Sequence, residues 1–223
     1  MSTRKHPIAL PLIACVALLA AVGCWTASRN QARSPVQQLS NYQFDSTSPL
    51  AARIVPAPGF VIDCLNNYDK VDYYQDYIPT DQELSSARQY LLALPKRYQS
   101  ILQSHLLGIY FIKDFVGSGF TEFVFDQANN PYAFIAVNSA TLSTTISDWL
   151  TLRDQSCFKA DGSDTRLLSD CGSTYTGFMY AILHESSHVV DFVLHYQPNP
   201  SVKSEKSFPF ISQCWQGFSQ PLP

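Results

Sequence analysis

The sequence predicts an α+β fold in which a small mixed or antiparallel sheet packs on one long helix, and three observations carry that expectation. Residues 174–197 read as a single helix whose ends are marked independently of its middle, by Ser173 or Thr174 as a cap and by Pro198 as a stop. Residues 109–116, 120–126 and 132–138 are rich in β-branched and aromatic side chains, with Gly117-Ser118-Gly119 and Asn129-Asn130-Pro131 between them. Ahead of these runs, apolar residues recur at helical spacing from Leu84 to Leu102.

The chain has 223 residues, of which 46% are hydrophobic, enough for one domain with a sizeable core. Fifteen basic and 18 acidic residues leave a net charge of −3 with no block of like charge. Nothing resembles the basic stripe that nucleic-acid binding needs, so that class is set aside.

Taken in order, Arg4, Lys5 and His6 precede an apolar run over 8–22 that ends in Ala21-Val22-Gly23-Cys24, a secretory signal in outline over residues 1–23. The run is shorter than the roughly 20 apolar residues of a membrane span. Small residues before a cysteine resemble the lipobox of bacterial lipoproteins, with Ala21 where leucine is usual. Leu12-Ile13-Ala14-Cys15 fits the small pattern better, but cleavage there would leave half of the apolar run on the product. The resemblance implies lipidation at Cys24, a membrane anchor, and residence in the bacterial envelope outside the cytoplasm, at the outer membrane or cell surface; an uncleaved anchor and ordinary secretion are the alternatives.

Residues 24–59 are rich in Ser, Gln, Asn, Ala and Pro and read as a flexible tether, so the domain is expected over 60–223. After a loop rich in Tyr and Asp, Thr80 or Asp81 can cap a helix carrying Leu84, Ala87, Leu91, Leu94, Tyr98, Ile101 and Leu102, which Pro95 kinks or divides. The three strand-like runs then suit a small antiparallel sheet, and a helix over 142–153 follows. With Cys15 and Cys24 removed, Cys64, Cys157, Cys171 and Cys214 remain, an even number in a compartment that permits disulfides. Cys157 with Cys171 closes a small polar loop, and Cys64 with Cys214 would tie the start of the domain to its end; no CxxC spacing suggests a cysteine metal site.

The long helix contains AILHESSHVVDF, with His184 and His188 four residues apart and Glu185 directly after the first. At about 100° per residue, Phe178, Ile182, Val189 and Val193 together with Met179, Leu183, Val190 and Leu194 form one broad apolar face. Tyr180, His184, Glu185, His188, Asp191, Phe192 and His195 share the remaining arc. Histidines four apart can direct one nitrogen each at a single ion, while Glu185 is rotated to one side, where it reaches a water without ligating the metal. Zinc makes that water easy to deprotonate, and Glu185 acts as general base when it attacks a carbonyl. With five histidines and four glutamates in the chain, HExxH arises in only about 0.2% of shuffled sequences.

His184, Glu185 and His188 resemble the motif of zincin metallopeptidases, and His188-Val189-Val190-Asp191 is similar to the active helix of the anthrax lethal factor type, a likeness of about a dozen residues. It implies a zincin-like domain, a Zn2+ cofactor, a protein or peptide substrate, and a sheet edge that holds extended substrate. The metzincin continuation is absent, since Asp191 stands at its glycine and Leu194 at its third histidine. Asp191 is a candidate carboxylate behind His188, whereas His195 lies about 10.5 Å further along the helix axis, beyond reach of the same ion unless the helix breaks. For the third ligand the resemblance implies a later glutamate. Only Glu205 follows, in a stretch without helical periodicity, and the alternatives are Asp191, His195, or a domain incomplete at its C-terminus. Tyr175, Tyr180 and Tyr196 are placed as packing residues. Three functions compete: a lipid-anchored zinc peptidase, a catalytically inactive lipoprotein of the same fold acting as a binding module, and an exported binding module in which HExxH is coincidental.

Overall fold

The computed structural model describes residues 33–158 and 166–196, and the backbone of two short pairs near the C-terminus. Among them are five α-helices, α1 (Gly59–Asp69), α2 (Asp81–Ala93), α3 (Lys96–His105), α4 (Ile146–Gln155) and α5 (Gly177–Leu194). The strands are β1 (Gln75–Asp76), β2 (Leu106–Lys113), β3 (Gly119–Phe125), β4 (Pro131–Asn138), β5 (Trp215–Gln216) and β6 (Gln220–Pro221).

Four strands form one mixed sheet in the order β1-β2-β4-β3. β2 and β4 run parallel and both flanking pairs are antiparallel, so of the two expected arrangements the sheet takes the mixed one. The reason is in the composition: β2 and β4 are nearly continuous apolar runs buried along almost their whole length, which suits the two central strands, while β3 is mostly half-buried and takes an edge. A turn through Gly117, at φ 83°, leads from β2 out to that edge. β5 and β6 form a separate two-stranded antiparallel ladder.

Each face of the sheet is covered. Ile109, Phe111, Ala133, Ile135 and Val137 pack with Leu91 of α2, Leu102 of α3 and Phe178, Ile182 and Val189 of α5. Their neighbours Tyr110, Ile112, Val124, Phe134 and Ala136 point the other way, into Val36, Val61, Leu65 and Tyr74, as the two-residue period of a strand requires.

The second layer corrects the expected tether. The compact unit starts at Pro35. Val36, Leu50 and Arg53 are buried, Tyr42 packs edge-on to Phe60, and Ile54 and Gln38 bridge to Ile109 and Phe125. A few well-spaced aromatic and aliphatic residues anchor a segment whose average composition is polar. α1 is also absent from the sequence reading.

Thr80 caps α2 with a full capping box to Glu83, and the chain divides at Pro95 into α2 and α3, as Pro95 predicts. α4 begins at Ile146 with Thr145 as its cap, four residues later than expected. Cys64, Cys157 and Cys171 are free thiols, and the expected bridge between Cys157 and Cys171 is not formed. The Cys171 N–H donates to Ser147 in the first turn of α4, whereas Cys157 follows its last turn, roughly 15 Å further along, beyond the 7 Å or so that a disulfide spans between Cα atoms. Cys24 and Cys214 lie outside the described residues.

Candidate functional site

α5 starts three residues later and ends three earlier than expected, capped by Thr176 and by His195 at φ 54°. Its start is pinned from two sides: the Gly177 N–H donates to the Thr144 carbonyl at 2.9 Å, and the Thr176 N–H to the Tyr90 hydroxyl at 3.2 Å. Gly177 also lets the helix rest on Trp149, because a Cβ there would lie 2.8 Å from the indole Cγ. At the other end Phe192 stacks on Phe123 of β3, with ring centroids 3.7 Å apart. The motif thus sits in the middle of a helix clamped at both ends, beside the edge strand.

His184 and His188 are exposed, and their Nε2 atoms lie 3.2 Å apart. Tyr180, one turn earlier, stacks on the His184 ring with centroids 5.7 Å apart and planes at 27°. The Tyr180 hydroxyl in turn accepts from Arg153 Nη1 at 2.6 Å, and Arg153 is paired with Asp154 at 2.5 Å. That pairing moves both groups from their ordinary values, the Arg153 guanidinium upward and the Asp154 carboxyl downward, through their shared hydrogen bond first. Tyr180 is thus held by α4 and leans on a histidine.

Glu185 is only 4% exposed. It turns toward β3, where Thr121 Oγ1 donates to its Oε2 at 2.6 Å. On the same strand Gly119 leaves room for it: a Cβ at that position would lie 2.8 Å from Glu185 Cγ and 2.9 Å from Oε1. Sequence reasoning missed both residues, because nothing in the residue pattern aligns β3 with the motif helix. The Gly117-Ser118-Gly119 turn was the one available signal, since only the first of its glycines is needed for a positive φ.

The apolar face holds Phe178, Ile182, Val189 and Val190 as expected, but Leu183 is 42% exposed and is corrected. Asp191 is half-buried one turn beyond His188, and His195 lies at the left-handed C-cap, away from the pair. Tyr175 packs on Tyr90, and Tyr196 lies under Arg97. Among the described residues no three His, Cys, Asp or Glu side chains gather at one point, and Glu205 lies outside them. What can hold a metal is therefore the histidine pair. Two ligands of a tetrahedral zinc with bonds of about 2.0–2.1 Å stand about 3.3 Å apart, which the pair fits. Comparison with protein-family models, with curated proteins and with solved structures finds no match.

Proposed function

We propose that the chain is an exported, lipid-anchored, zinc-dependent peptidase of the zincin kind. The observation that carries the reading is the 3.2 Å separation of two Nε2 atoms on consecutive turns of one helix, with a carboxylate rotated one residue away toward a sheet edge. Zinc held there supplies Lewis acidity and lowers the pKa of a water toward neutrality. His184 and His188 would hold the metal through Nε2. Tyr180, braced by Arg153, restricts the His184 ring. Glu185 takes a proton from the attacking water and returns it to the leaving nitrogen. The third ligand falls to Glu205, to Asp191 or His195, or to residues outside this sequence. The outer edge of β3 beside Glu185, ahead of the bridge between Gln38 and Phe125, would offer an extended peptide main-chain partners. Export and anchoring rest on the basic start, the apolar run and Cys24, which lie outside the described residues.

One observation favours the second reading, a lipoprotein of this kind that binds a partner without cleaving it. Glu185 is buried at 4% exposure with its carboxylate on Thr121. The test is Glu185→Gln. It should keep zinc and lose at least about 100-fold in hydrolysis of labelled casein, because the carboxylate acts on water and not on the metal. Parental activity in that variant would sink the mechanism, and an inert wild type holding zinc would favour the binding module.

A further inference from the structure

We infer that Thr121 and Gly119 of β3 are positioning residues for Glu185, so that the edge strand, and not the helix alone, sets where the general base sits. The inference deepens the peptidase reading and rests on it for its catalytic half.

A glutamate in mid-helix has three side-chain torsions, and the helix backbone fixes only where they begin. Left to solvent, the carboxylate of Glu185 would sample several directions. Two features of β3 remove that freedom. Thr121 donates its hydroxyl to Oε2 at 2.6 Å, a short bond of the kind a charged acceptor makes, and stands 3.3 Å from the Glu185 carbonyl as well. Gly119, two residues earlier on the same face of the strand, leaves the space that Cγ and Oε1 occupy. One residue holds an oxygen and the other opens the volume, so the carboxylate lies against the strand with Oε2 engaged and Oε1 over Gly119.

The strand in turn is fixed to the helix independently of these contacts. Phe123 stacks on Phe192, and Trp149 Nε1 donates to Ser118 Oγ at 2.8 Å, just before β3 begins. A seat built on an anchored strand can hold a base within the few tenths of an ångström that proton transfer demands. Any other residue at 119 would push into Glu185, and any apolar residue at 121 would leave Oε2 without its donor.

The test has an arm that needs neither metal nor substrate. Urea unfolding of the metal-free full chain is measured for wild type, Thr121→Val, Glu185→Leu and the double variant. Thr121→Val is expected to lower the unfolding midpoint more when Glu185 is present than beside Glu185→Leu, where only the bond to the residue 185 carbonyl is left to lose. In the zinc-loaded chain, Thr121→Val and Gly119→Ala are expected to keep the metal, lose about 10-fold or more in kcat on fluorescein-labelled casein, and leave KM unaltered, with Thr121→Ser restoring most of kcat. An equal midpoint shift in both backgrounds would overturn the inference, as would parental kcat in Thr121→Val. If the wild type hydrolyses no casein at all, the peptidase reading fails while the unfolding cycle still decides whether Thr121 holds Glu185.

Discussion

The two faces of the sheet are built from different materials. Toward α2, α3 and α5 the core is mainly aliphatic, around Leu91, Leu102, Ile109, Ile135 and Ile182. On the opposite face, toward α1 and residues 36–44, rings meet rings: Tyr42 on Phe60 and Phe134, Phe44 on Tyr132, Tyr74 on Phe115, Tyr110 on Phe134. The aliphatic side carries the histidine pair and the buried carboxylate on a clamped helix. The aromatic side carries no histidine pair and closes the sheet with a segment of low hydrophobicity, in which the buried Arg53 lies over the Phe44 ring. The face that carries the motif is assembled from regular helices. The opposite face is covered by α1 and a winding chain with large, sparse anchors.

The largest effect expected from that contrast follows removal of residues 1–58. If they were a tether, the remainder would be unaffected. Because Val36, Tyr42 and Phe44 pack on one face of the sheet and Leu50 and Ile54 on the other, at up to about 1.5–3 kcal/mol for each side chain when fully buried, the loss should be on the order of 5 kcal/mol and leave a chain that does not fold cooperatively. Circular dichroism during urea titration checks this, and a full cooperative transition in the shortened chain would break the comparison.

A smaller effect concerns the phenols of the aromatic face. Burial pushes Tyr42 and Tyr110 well above the ordinary phenol value, and it raises Tyr74 from 10.0 to about 12, helped by its hydrogen bond to Asp69. A group whose folded value is raised contributes stability that is fully present below its unfolded value and is lost as pH rises toward the folded one. Unfolding midpoints should therefore fall between about pH 10 and pH 12, by on the order of 1 kcal/mol for each phenol by about pH 11. Tyr110→Phe should remove its share of the loss, and identical alkaline curves for variant and wild type would contradict the assignment.

The same contrast explains what could be read from the sequence. The helix face was legible because its signals are local: the Thr80 cap, the break at Pro95, and the apolar period of α5 with HExxH on its polar arc. The aromatic face was not, because Tyr42 and Phe44 sit among Ser, Asn and Pro without any period, and their ring partners Phe60, Phe134 and Tyr132 are more than 15 residues away. Strand positions were visible but their order was not, since β2 and β4 pair across the excursion of β3. At the site, His184 and His188 came from spacing alone. The seat of Glu185 on Gly119 and Thr121 depends on the register between a helix and a strand some 60 residues earlier, which no pattern within either element encodes.

The central claim, that His184 and His188 hold zinc, is tested most directly by the metal content of the purified chain after exhaustive dialysis without added metal. The same 3.2 Å separation would also suit a single N–H···N hydrogen bond between the two rings, and only bound metal distinguishes the two. The account predicts about one zinc per chain in the wild type, falling below about a tenth of that in His184→Ala and in His188→Ala. A wild type that holds no more zinc than those variants would contradict it.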